Sequence, residues 1–300
     1  MVTNREEQGG ATQAGRPAAQ ASASISPYTS GLYHPDDLLW QVNREAVLLL
    51  SGGRALVMQL AHPLVAAGVA ARDDFRNNPI GRLMRTLRGM LGIIYGDLDE
   101  ADRCARRINE LHADVVGTLG VGTSRFAAGS VFDALDPDLL LWVEATLTDS
   151  AMTAYSNFVR PLSPVERDAY YQQSLRLAPM LRVPLEVHPS DYPAFSRYLE
   201  EKLQGDCLEV TEQAKELAHA VLHPRVAGVP DFVLAPFRFL TIGMLPAALR
   251  ARFEFPWDAR RQKLWQRSIS IVRGMRTIAP DILRIMPPAR RAEKRLLARD

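Results

Sequence analysis

Apolar side chains recur at three- and four-residue intervals over most of this chain, the spacing that lines one face of an α-helix. Strands with period-two alternation and internal repeats are both missing from the pattern. The most apolar stretch, 55–71 (ALVMQLAHPLVAAGVAA), carries no formal charge and predicts a fully buried central helix. It is shorter than the roughly 20 apolar residues of a membrane span, and Pro63 interrupts it. Other helices are marked by their caps. Asp136-Pro137 opens one over 138–158, and Ser163-Pro164-Val165-Glu166 is a capping box that opens another reaching about 181. Further helices are expected over 102–119, 191–203, 209–222 (ended by His223-Pro224), 239–253 and 257–279. Gly52-Gly53 marks a close helix approach or a break between helices. The predicted fold is all-α: a single large helical domain over 28–285 with a buried central helix. A flexible, disordered N-terminal tail over 1–27 precedes it, and a basic C-terminal tail over 286–300 follows.

Composition adds limits rather than a function. With 47% hydrophobic and 23% charged residues the chain is ordinary for a globular protein, and 300 residues suffice for a large core. A net charge of +2 lacks the basic excess of a nucleic-acid binder, so no nucleic-acid partner is expected. The one local excess is the C-terminal stretch with Arg290, Arg291, Lys294, Arg295 and Arg299, either a solvated last helix or a weak contact to acidic lipids. Residues 1–26 have no secretory apolar run, and Glu6 and Glu7 argue against a mitochondrial presequence. Cys104 and Cys207 have no metal-like spacing and suit a reducing compartment. The expected location is cytoplasmic, peripheral to a membrane if the basic C-terminus touches one.

Nucleophile elbows, phosphate loops, zinc motifs and dinucleotide fingerprints are missing from the sequence. Histidines are the remaining candidates. His34 and His188 sit beside prolines and read as loop residues, while His219 and His223, four apart, make a weak metal pair. His112 falls on the stripe of Ile108, Val115 and Leu119, so it faces the core, either as a metal ligand or as a core histidine bonded to a carbonyl. His62, with Gln59 three before it, lines a pocket or ties two helices together. Arg82, Arg85 and Arg88, with Thr86 among them, form either a solvated basic face or a set of donors aimed at carboxylates or dioxygen.

Together these stretches resemble the MpaB-type oxygenases and the catalytic domain of rubber oxygenase (latex-clearing protein). The resemblance is carried by Gly52-Gly53-Arg54-Ala55-Leu56 through Ala61-His62-Pro63-Leu64, by Arg82-Leu83-Met84-Arg85-Thr86, by Leu111-His112-Ala113 and by 142–155 (WVEATLTDSAMTAY). It spans about 40–260 and implies an all-α oxidoreductase that binds haem b and uses dioxygen on a hydrophobic, isoprenoid or unsaturated lipid-like substrate. It implies His112 as the proximal iron ligand and Arg82, Arg85 and Thr86 as the distal group. His62 and Arg54 are expected at the cofactor, with Arg160 or Arg238 as further propionate partners. The chain departs from the family where Arg85 replaces the distal lysine, and Glu144 stands where a histidine is common. A non-enzymatic haem or lipid carrier or sensor on the same fold is the alternative.

Overall fold

The computed structural model describes residues 31–71, 79–224 and 228–298, except for the side chains of residues 79, 80, 82 and 83. The expected tail over 1–27 lies outside the described residues. The rest is mostly helical, as the periodicity predicts: α1 (Leu38–Asn43), α2 (Leu49–Leu60), α3 (Pro63–Ala70), α4 (Pro79–Tyr95) and α5 (Leu98–Ala113) come first. A two-stranded hairpin, β1 (Val116–Thr118) and β2 (Val131–Asp133), interrupts the series. It is followed by α6 (Pro137–Phe158), α7 (Pro164–Ser174), α8 (Tyr192–Gln204), α9 (Glu212–Leu222), α10 (Ala235–Met244) and α11 (Ala247–Arg252). The last helices are α12 (Ala259–Ile278), α13 (Asp281–Arg284) and α14 (Pro287–Leu297).

The core is organised around α2 and α6, which pack on each other more extensively than any other pair of elements. Asp136 caps α6 by accepting hydrogen bonds from the amides of Asp138 and Leu139, and Pro137 occupies the first helical position, where no amide is needed. Leu139, Trp142, Ala145, Ala151, Ala154 and Phe158 are buried along it. Each large apolar side chain buried this way stabilises the fold by about 1.5–3 kcal/mol. Gly53 gives α2 a second close neighbour. A Cβ there would lie 3.0 Å from Phe237 and 3.1 Å from Thr241 of α10, which is the close helix approach the Gly-Gly pair suggests. Gln59 is paired across the α2–α6 interface, donating to Thr146 Oγ1 at 3.0 Å.

Several boundaries differ from the pattern for local reasons. The central apolar stretch is two helices, bent by 110° at His62-Pro63. Proline disfavours the helical conformation of the residue before it, and His62 is extended, with φ −88 and ψ 119. Among the described residues no single helix is long and apolar enough to cross a membrane. The helix expected over 239–253 is split at Leu245-Pro246, and the one expected over 209–222 starts only at Glu212, behind the Thr211 cap. The capping-box helix ends at Ser174 and continues as a short 3-10 turn. Strands do exist: Gly117 lets the Phe132 ring lie across β1, where a Cβ would come within 2.6 Å of the ring. The basic C-terminal segment forms a last helix that packs on the body. Ala289 and Ala292 of α14 are buried, the helix packs on α4, and Arg295 donates to the Tyr95 carbonyl at 2.8 Å.

Candidate functional site

The site is built on the hairpin of α4 and α5. Glycines on one stripe of α4 let the two backbones approach closely. A Cβ on Gly89 would meet Ile108 at 3.1 Å, one on Gly92 would meet Cys104 Sγ at 2.5 Å, and one on Gly96 would meet Glu100 Cβ at 2.8 Å. These contacts define an antiparallel register in which each turn back along α4 matches one turn forward along α5. One further turn brings Arg85 of α4 opposite His112 of α5. The backbone stretches that carry the two motifs therefore lie towards the same end of one helical hairpin.

His112 occupies the last turn of α5, which stops at Ala113. The stripe extrapolated through Val115 and Leu119 is therefore broken, because the chain leaves the helix at Asp114 to enter β1. His112 is consequently half-buried rather than enclosed in the core. Its Nδ1 lies 2.8 Å from the Ile108 carbonyl oxygen. A carbonyl can only accept, so Nδ1 carries the proton in the neutral ring and Nε2 presents its lone pair. No described residue bonds Nε2. A histidine held through one nitrogen by a carbonyl, with the other available, is the usual arrangement of a metal-ligating imidazole.

Arg85 and Thr86 are exposed on α4, and Arg82 lies one turn earlier on the same helix, its side chain outside the described residues. The other expected members are elsewhere. His62 stands at the start of α3, whose Gly68 abuts Val115, so about 9 Å of helix separates it from the neighbourhood of His112. It is 4% exposed, its ring packs on Phe126 with centroids 5.5 Å apart, and Nδ1 has no hydrogen-bond partner among the described residues. Burial, assisted by the nearby Lys202, lowers its pKa to about 4. Each arginine expected at propionates has another partner. Arg54 is buried and donates to Met244 O at 2.9 Å, Ser150 Oγ at 2.7 Å and Asp149 Oδ2 at 2.6 Å. Arg160 pairs with Glu166, and Arg238 with Asp231.

The sequence reading missed one buried ion pair. His188 looked like a loop residue beside proline, but its side chain is 3% exposed and Nε2 lies 3.2 Å from Glu144 Oε2. Its Nδ1 lies 2.9 Å from Pro184 O, so both ring nitrogens face acceptors. Burial disfavours the charge, but the Glu144 carboxylate outweighs it and the His188 pKa is raised. A small cavity beside the pair is lined by Thr148, Tyr171, Ser174 and Phe195. The available signal was Glu144 itself, a carboxylate set among the apolar run of Leu139 to Ala145. His219 and His223 stack on each other with centroids 4.0 Å apart, and His223 Nδ1 bonds the His219 carbonyl.

Among the described residues no group of three or more His, Cys, Asp and Glu side chains could hold a bare metal ion. A haem asks for something different, since the porphyrin supplies the equatorial nitrogens and the protein need offer only an axial side chain. His112, with its tautomer fixed and Nε2 available, fits that requirement, and Arg85 and Thr86 are donors within reach of the same hairpin end.

The described residues form a mostly helical domain in which His112 is held by a backbone carbonyl at the end of the α4–α5 hairpin. Residues 39–274 match the family described as ER-bound oxygenase mpaB/B'/Rubber oxygenase, catalytic domain. The chain belongs to that family, which implies an oxygenase. It is also similar to two uncharacterized proteins, one of Mycobacterium bovis and one of Mycobacterium tuberculosis. Each is 29% identical over 228 residues, covering 73% of this chain and 84% of the relative. No solved structure matches the chain.

Proposed function

We propose that this protein is a haem b-dependent oxygenase acting on a hydrophobic, unsaturated substrate, with His112 as the proximal iron ligand. The observation that supports the reading is His112 itself, its Nδ1 anchored to Ile108 at the end of a hairpin whose glycine contacts run towards the Arg85-Thr86 stretch of α4. Haem, when bound, would supply the iron chemistry by which dioxygen reacts with an electron-rich double bond. Cleaving such a bond with one dioxygen yields two carbonyl products that keep both oxygen atoms, so no external reductant is consumed.

The protein's own contribution is orientation and charge. The Ile108 carbonyl holds the His112 ring and raises its basicity as a ligand. Arg85, permanently charged, and the Thr86 hydroxyl offer hydrogen-bond donors where negative charge develops on oxygen. His62, kept neutral by burial, belongs to the apolar wall at the far end of α3 rather than to the iron. Arg54 remains tied to Asp149 and Ser150, bracing α2 against α6.

Titrating the purified protein with haem and then adding unsaturated lipids tests the reading. A Soret band that saturates with haem, followed by dioxygen consumption dependent on the lipid, is expected. The absence of a Soret band would overturn it. A Soret band with no dioxygen uptake on any unsaturated lipid would replace the enzyme by a haem carrier or sensor.

A further inference from the structure

The solvent face of α12 is not what the surface of a water-soluble domain needs. Leu264, Ile271, Met275 and Ile278 are between 52% and 84% exposed. Their spacing of seven, four and three puts them on a single stripe of the helix. The opposite face holds the helix to the body: Trp265 is buried, and Arg273 donates to the carbonyls of Ser156 and Asn157 at the end of α6. The following short helix α13 adds Ile282 and Leu283, 65% and 70% exposed. Contiguous apolar surface of this kind marks an interaction site rather than chance exposure.

Charge decides the occupant. The sequence 259–278 contains no aspartate or glutamate. Arg260, Lys263 and Arg267 flank one edge of the stripe and Arg261 the other, all exposed and none in an ion pair among the described residues. Two copies meeting through this face would bring like charges together, whereas an anionic lipid surface accepts both the apolar stripe and its cationic rim. We propose that the exposed face of α12, continued by Ile282 and Leu283, docks this protein on an anionic membrane surface, lying in the interface plane without crossing it. On the C-terminal helix, Arg295 is turned inward to Tyr95.

Cosedimentation of the full chain with phosphatidylcholine vesicles, with and without phosphatidylserine, tests the proposal. The wild-type chain should pellet with the anionic vesicles and be released by salt. Substituting Arg260→Gln and Arg267→Gln should lower partitioning by about fivefold for each cation removed. The triple change Ile271→Ser, Met275→Ser and Ile278→Ser should abolish pelleting while leaving the thermal melt unchanged, because all three side chains are solvent-exposed. Failure to pellet, or pelleting untouched by the triple change, would overturn the proposal. So would a dimer in vesicle-free solution that the triple change dissociates, which would make the face a contact between copies. The assay needs no haem, so its failure and the failure of the oxygenase reading are separate results.

Discussion

Nδ1 of His112 lies 2.8 Å from the carbonyl oxygen of Ile108, one turn earlier on the same helix. That bond does two things at once. It ties the ring to the backbone one turn back, and it fixes which nitrogen of the ring is left for a ligand. The same geometry would serve a purely structural histidine. What sets this one apart is its place at the end of the hairpin, one turn beyond the Gly89–Ile108 and Gly92–Cys104 contacts and on the side of the α4 stretch that carries Arg85.

If Arg85 is a donor to developing oxygen charge, its loss should affect turnover and not cofactor retention. Arg85→Ala is expected to lower lipid-dependent dioxygen consumption by about 100-fold. Its Soret band should stay at the wild-type position. Arg85→Lys, which keeps the charge as a single point, should recover part of the activity. Full activity in Arg85→Ala would remove the residue from the distal group.

The glycine stripe is predicted to hold the site in shape. Gly92→Val would drive a branched side chain into Cys104 Sγ, already 2.5 Å from where a Cβ would stand. Overpacking of this kind costs about 1–3 kcal/mol. A lower thermal midpoint with a weakened haem affinity is expected, because splaying α4 from α5 shifts Arg85 relative to His112. A stability loss with unchanged haem affinity would uncouple the hairpin from the site.

Two buried histidines should pull the pH dependence of stability in opposite directions. The unfolded chain protonates His62 as the pH falls through about 6.5, whereas the folded chain resists until about 4. Stability from this residue is therefore full above about 6.5 and is lost as the pH drops towards 4, by up to about 3 kcal/mol. His188 behaves in reverse. Its raised pKa means that its contribution is complete below about 6.5 and is lost as the pH rises through the folded value. Chemical denaturation of the haem-free protein across this range checks both. His62→Leu should flatten the acid limb. Glu144→Gln should cost about 1–3 kcal/mol at acidic pH, with the deficit shrinking as the pH rises. A constant deficit in Glu144→Gln at every pH would mean that His188 is not charged in the fold.

Helix caps and periodicity carried most of the fold in the sequence because they are local. Asp136-Pro137 and the Ser163–Glu166 box sit where the helices begin. Breaks imposed by a neighbouring residue were less legible. Pro63 and Pro246 split apolar runs whose period alone suggests single helices. Asp114 ended α5 before the stripe that seemed to bury His112 could run on. For the site, the motif residues Arg85 and His112 could be named from the sequence, but the close packing of the two helices that carry them could not, since it depends on the glycines between α4 and α5. The Glu144–His188 pair was illegible because it joins residues 44 positions apart that share no pattern. Arg54 shows the converse: an arginine within a family-like motif that the structure commits to Asp149 and Ser150.

The central claim is that His112 holds the iron, and the most direct measurement is haem binding by His112→Ala with and without added imidazole. The account predicts that the variant folds, loses the wild-type Soret band, and regains it when imidazole fills the space beside Ile108. A His112→Ala protein that retains haem with an unchanged spectrum would contradict the account and move the ligand to another residue.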